Sequence, residues 1–92
     1  MSDTKVDRNR VNALMRAFRY GERVDDLEKV DERRDRGQYD TVMWHVALDG
    51  ATLFGHADTF RAHLVAALER GESEKNAEVA AFEATAQEAG ID

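Results

Sequence analysis

Charged residues interrupt every apolar stretch of this 92-residue chain, and this interruption limits what the chain can fold into. No stretch approaches the roughly 20 residues of a membrane span or the apolar core of a signal peptide, so we expect a cytoplasmic protein without membrane contact. Apolar residues make up 42% of the sequence and many are alanine, so a monomer would bury a thin core. A homodimer that shares apolar faces would supply the missing burial. The absence of cysteine excludes disulfides and thiolate chemistry.

The formal net charge of −6 is distributed unevenly. Residues 1–46 contain ten Lys/Arg and ten Asp/Glu, whereas residues 47–92 contain three against nine. Between residues 5 and 23 the chain is basic, with Asp7 and Glu22 as the only acids. Such asymmetry indicates a nucleic-acid-facing end beside an acidic body, and an ordinary solvated helix face is the alternative.

Apolar spacing predicts a helix at the start of the chain. Between residues 6 and 18 the large apolar side chains recur at steps of three, one and three, with Asp3 or Thr4 as a cap and Gly21 as a stop. A short, charge-rich helix is expected over residues 22–29. One face of the first helix also carries polar groups that contact phosphates and bases, namely Arg8, Asn9, Arg10, Asn12, Arg16 and Arg19.

The last third predicts two further helices. Asp58 is a candidate cap for a helix that ends at residues 70–71, and Ser73 for a helix that ends at Gly90. Ile91 would close that end by an apolar contact.

Residues 39–54 fit two structures. As a helix, Tyr39, Val42, Met43 and Val46 share a face; as a strand, alternate residues from Val42 to Leu48 do. Because Thr, Val and Trp favour extended structure, we predict a strand over residues 40–47.

The sequence offers no arrangement typical of catalysis. There is no glycine-rich phosphate loop, and neither Ser2 nor Ser73 has the context of a nucleophile. His56 and His63 are seven residues apart, which is a poor spacing for a metal pair. We therefore expect a protein that is not an enzyme and has no metal or other cofactor.

Residues 24–70 contain a pattern found in a known family. The segment Val30-Asp31-Glu32-Arg33-Arg34 is followed by a polar, glycine-bearing stretch and then by Trp44, Val46, Ala47 and Gly50. This resembles the wing of winged helix-turn-helix transcription regulators of the MarR and PadR type, with Ala47 in place of the usual threonine. The resemblance implies a mainly α fold with a small β-hairpin: a shortened winged helix-turn-helix followed by C-terminal helices. The alternative is an all-α helical bundle.

The resemblance also implies an organisation and a function. Residues 1–92 would form a single domain with a flexible tail (1–4), a winged-helix-like part (5–56) and C-terminal dimerisation helices (57–92). The protein would be a transcriptional regulator that binds double-stranded DNA as a homodimer, with residues 22–29 as the recognition helix. The expected DNA-binding residues are Arg8, Arg10, Asn12, Arg16, Arg19, Arg23, Arg33, Arg34 and Arg36. The expected dimer-interface residues are Phe60, Leu64, Leu68, Val79 and Phe82.

A small acidic protein-protein interaction module is the alternative function, similar to phage-encoded inhibitors, antitoxins or assembly adaptors. The acids Asp25, Asp26, Glu28, Asp31 and Glu32 would then face a basic protein partner. The candidate aromatic anchors are Tyr39, Trp44 and Phe54. The two functions differ in one respect that a structure can address: a DNA binder needs its arginines on one face, without internal ion pairs.

Overall fold

Five α-helices make up most of residues 6–91, the part of the chain that the computed structural model describes. The predicted flexible tail, residues 1–4, and the candidate caps Asp3 and Thr4 lie outside these described residues. The helices are α1 (Arg8–Val24), α2 (Leu27–Asp35), α3 (Thr41–Thr52), α4 (Ala57–Glu69) and α5 (Glu74–Ala89).

The predicted β-hairpin and winged helix-turn-helix are wrong, and the alternative, an all-α bundle, is confirmed. Residues 40–47 do not form a strand: Asp40 caps α3, and its Oδ1 accepts a hydrogen bond of 2.9 Å from the Met43 backbone N–H. Val30 to Arg34, which the resemblance includes in the wing, lie inside α2. The cap and the tertiary packing of α3 therefore outweigh the local preference of Val and Trp for extended backbone.

The packing of α3 against α1 depends on two glycines. Gly21 faces the backbone of Ala47, and Gly50 faces the backbone of Phe18, so the two helices touch main chain to main chain. A Cβ at Gly21 would overlap the carbonyl oxygen of Ala47, and one at Gly50 would overlap that of Phe18. Gly21 does not stop α1 as predicted; the helix continues to Val24 and ends at Asp25, which adopts the left-handed conformation.

The main apolar core lies between α1, α3, α4 and α5. Phe18 and Phe60 are fully buried, with ring centroids 4.8 Å apart. The Cα positions span 44 × 33 × 16 Å, and the shortest dimension is less than two helix diameters. A second, smaller cluster joins α1, α2 and α3, and it consists of Ala17, Val30, Tyr39 and Ala47. Two members of this second cluster, Ala17 and Tyr39, also line a groove at the protein surface.

Helix ends in the last third follow the sequence signals closely. Ser73 caps α5, with its Oγ accepting a hydrogen bond of 3.1 Å from the Asn76 backbone N–H, and Gly90 ends the helix in the left-handed conformation. Ile91 packs against the core just after it, as predicted. The prediction that Asp58 caps α4 is wrong, since Asp58 lies inside this helix. The residue that precedes α4 is His56, and its side chain makes no capping hydrogen bond.

None of the helices between residues 6 and 91 has the length and apolar content needed to cross a bilayer.

Candidate functional site

A groove of about 400 Å³ opens where α1, α2 and the start of α3 meet. Small residues of α1, together with Met43, form its apolar part, and guanidinium groups from two helices form its polar part. We call this cavity the arginine groove. It is lined by Ala13, Arg16, Ala17, Arg19, Tyr20, Arg23, Arg33, Tyr39 and Met43.

Two tyrosines position Arg33 at one wall of the arginine groove. The Arg33 guanidinium lies 3.7 Å from the centre of the Tyr20 ring and 5.8 Å from that of Tyr39. The two rings meet edge to face, with centroids 6.2 Å apart. Stacking of this kind restrains a guanidinium while its N–H groups stay available to a ligand. Burial raises the pKa of Tyr39, so its hydroxyl stays protonated and able to donate a hydrogen bond at neutral pH.

A second groove, of about 340 Å³, adjoins the first and shares Arg16 and Arg19 with it. Asn12, Arg16, Arg19 and Arg23 follow one another at steps of four, three and four, which places them on one face of α1. Arg61 of α4 extends this surface, and Asp58 is the acidic residue in the lining of the second groove. We call this surface the arginine face, and it consists of Asn12, Arg16, Arg19, Arg23, Arg33 and Arg61.

The arginine face lacks carboxylate partners. Among residues 6–91, no carboxylate lies within 4.0 Å of a guanidinium nitrogen of this face. The two acidic residues between residues 5 and 23 accept hydrogen bonds from backbone N–H groups instead. Asp7 caps α1 by accepting from the Arg10 N–H at 3.2 Å, and Glu22 accepts from the Gly55 N–H at 2.8 Å.

Arg10 shows the contrasting arrangement, in which an arginine serves the fold. Its guanidinium makes two hydrogen bonds of 2.9 Å to Glu74 at the start of α5 and lies 2.9 Å from Asp40, the cap of α3. The hydrogen bonds with Glu74 raise the pKa of Arg10 despite partial burial. Arg10 therefore ties three helices together and is not available to an external ligand.

The other predicted DNA-binding arginines do not join the arginine face. Arg34 stacks over Trp44, 4.5 Å from the ring centre, and pairs with Asp35 at 3.2 Å. Arg8 and Arg36 are exposed but line neither groove. The structure thus brings together Asn12, Arg16, Arg19, Arg23 and Arg33 from the predicted set. Sequence reasoning missed Arg61, because its position depends on how α4 packs beside α1.

The predicted dimer-interface residues are largely used inside the protomer. Phe60 and Leu64 are fully buried in the core, and Leu68 and Phe82 are partly buried against it. Val79 remains 45% exposed.

The predicted aromatic anchors also differ in exposure. Tyr39 is buried, and the indole N–H of Trp44 donates a hydrogen bond of 2.8 Å to Asp31 Oδ1. Phe54 projects from the α3–α4 loop with 70% of its surface exposed. Of the predicted acidic patch, Asp26 caps α2 by accepting from the Glu28 N–H at 3.0 Å.

Two acids are buried at the contact of α3 and α5. Asp49 is 8% exposed and Glu78 is 6% exposed, and Glu78 is the neighbouring carboxyl group that acts on Asp49. Burial, followed by the hydrogen bond with Glu78, raises the pKa of Asp49 to about 10. At neutral pH Asp49 therefore holds a proton. Within residues 6–91, no group of three or more His, Asp or Glu side chains is placed to hold a metal ion.

Comparisons with known proteins give no relative from which a function can be carried over. No family model, curated protein or solved structure matches this chain.

Proposed function

We propose that this protein binds nucleic acid without catalysis, through phosphate contacts from the arginine face. The observation that carries the proposal is that five arginines from three helices converge on one surface, and that none of them pairs with a carboxylate of residues 6–91. They do so in a chain with 19 Asp and Glu residues, in which other arginines are paired. Unpaired guanidinium groups side by side repel one another, and a polyanion relieves that repulsion.

The shape of the surface suits a duplex backbone. From Asn12 to Arg23 the face runs about 16 Å along α1, at about 1.5 Å per residue. Double-stranded DNA presents about one phosphate charge per 1.7 Å of its axis, so several phosphates fall within that length. The excess of acidic residues in residues 47–92 would repel phosphates elsewhere on the protein and favour contact through the arginine face.

Anisotropy titration of a labelled duplex across a salt series tests the proposal. Five arginine contacts predict a plot of log K against log salt with a slope between about −4 and −5. Arg19→Ala, which changes a side chain shared by both grooves, should weaken binding and reduce the slope by about one.

Two matched controls separate this surface from general charge. Arg36→Ala and Lys75→Ala each remove one exposed positive charge outside both grooves, and both should leave the slope unchanged. The proposal is refuted if the unmodified protein does not bind at low salt. It is also refuted if the two control variants weaken binding as much as Arg19→Ala does.

A further inference from the structure

The arginine groove holds more positive charge than a phosphate in the middle of a strand requires. Arg16, Arg19 and Arg23 approach it from α1, and Arg33 approaches it from α2. A phosphodiester carries one negative charge and has a nucleotide on each side. A terminal phosphate monoester carries about −1.5 to −2 and has three free oxygen acceptors.

Two of these guanidinium groups share a single ring. The Arg33 guanidinium of α2 lies 3.7 Å from the centre of the Tyr20 ring, and the Arg23 guanidinium of α1 lies 5.5 Å from the same centre. No carboxylate of residues 6–91 pairs with either of them. A compact, multiply charged anion between them would compensate both charges at once.

The groove has an apolar as well as a cationic lining. Ala13, Ala17 and Met43 lie among the lining residues, and the volume of about 400 Å³ falls at the lower end for small-ligand sites. A phosphate within a strand has a nucleotide on each side, whereas a terminal phosphate has one. A chain end would therefore fit a groove of this size more readily, with its phosphate at the guanidinium groups and its last sugar against the apolar side chains.

We propose that the arginine groove binds the terminal phosphate monoester of a nucleic-acid strand, and that the rest of the arginine face contacts the phosphates that follow. This inference rests on the proposed function. It deepens that function, because it makes a phosphorylated end the preferred ligand.

Two duplexes of identical sequence test the inference, one with 5′-phosphate ends and one with 5′-hydroxyl ends, both labelled internally. The extra charge beside several guanidinium groups predicts binding of the phosphorylated duplex that is on the order of tenfold tighter. Arg33→Ala should abolish the preference and retain the weaker, salt-dependent binding. Arg61→Ala should weaken both duplexes equally, because Arg61 lines the neighbouring groove.

Two further arms separate specific recognition from loss of structure. Tyr20→Phe keeps the ring beneath Arg33 and should keep the preference, whereas Tyr20→Leu removes the ring and should reduce it. Millimolar inorganic phosphate, at matched ionic strength, should compete away the advantage of the phosphorylated duplex and weaken binding of the hydroxyl duplex to a smaller extent.

The possible failures are distinguishable. Equal affinity for the two duplexes, each with a steep salt dependence, would overturn the inference while the proposed function stands. A preference that survives Arg33→Ala would overturn the placement of the phosphate in this groove. Absence of binding to either duplex would overturn the proposed function, and the inference with it.

Discussion

Replacing Asp49 with asparagine should stabilise the protein at neutral and alkaline pH. Asp49 on α3 and Glu78 on α5 are both buried, and burial together with the Glu78 hydrogen bond raises the pKa of Asp49 to about 10. In the unfolded chain an aspartate has a pKa of about 3.9. The native protein must therefore hold a proton that the unfolded chain releases. An asparagine amide has nearly the shape of a protonated aspartic acid and does not ionise, so it holds no proton that unfolding would release.

The sign and size follow from linkage. Because the folded pKa is raised, the stabilising contribution of Asp49 is complete below about pH 4, and it is lost as pH rises toward about 10. Between those values the free energy of unfolding falls by about 1.4 kcal/mol per pH unit. From pH 6 to pH 8 the loss is about 3 kcal/mol. Asp49→Asn should remove this slope and add up to about 4 kcal/mol at pH 7.

Urea unfolding of both proteins at pH 6, 7 and 8 measures the effect. All other ionisable groups are the same in both proteins, so the difference between the two slopes isolates Asp49. Glu83→Gln removes an exposed carboxylate from α5 and serves as the matched control, with little expected change. Parallel pH dependences for the parent protein and Asp49→Asn would refute the assignment of the proton to this pair.

Two further predictions concern helix packing and capping. Gly50→Ala should destabilise the protein by about 3 kcal/mol or more in thermal unfolding, because its Cβ overlaps the Phe18 carbonyl; Gly37→Ala meets no neighbouring atom and should cost only about 1 kcal/mol. A Gly50→Ala protein as stable as Gly37→Ala would contradict the close helix contact. Ser73→Ala should cost about 1 kcal/mol, and Ser73→Asp should retain most of the stability; equal losses from both would argue against a capping contribution.

Features of the fold that depend on neighbouring residues were predictable from the sequence. The cap at Ser73 and the stop at Gly90 act within a few residues, and both predictions are confirmed. The strand predicted over residues 40–47 was wrong because the decisive interaction is distant: α3 packs on α1 through Gly21 and Gly50, about 30 residues apart in the chain. The prediction that Gly21 stops α1 was wrong for the same reason, because the contact of Gly21 with Ala47 joins two helices that are distant in the chain.

In the candidate site, too, the features set by local geometry could be predicted from the sequence, and those set by distant contacts could not. The spacing of Asn12, Arg16 and Arg19 along one helix could be predicted, because one face of a helix is set by local geometry. The position of Arg33 over Tyr20 could not be predicted, since the resemblance included Arg33 in a wing and the contact depends on how α2 packs against α1. The use of Arg10 in the fold also depends on Glu74, which is 64 residues away.

The main-chain contact between α1 and α3 has a consequence for how quickly and how tightly a ligand can be held. A shift of either helix by one residue would bring a side chain to the place of Gly21 or Gly50, where there is no room for it. The rotation of α1 about its own axis is therefore fixed, and with it the direction of its exposed arginines. Under the proposed function, an arriving polyanion would therefore meet a charge array that is already assembled, and association would require no helix rearrangement. The entropy lost on binding is then limited to side-chain rotamers, about 0.5 to 1.5 kcal/mol for each arginine that becomes immobile.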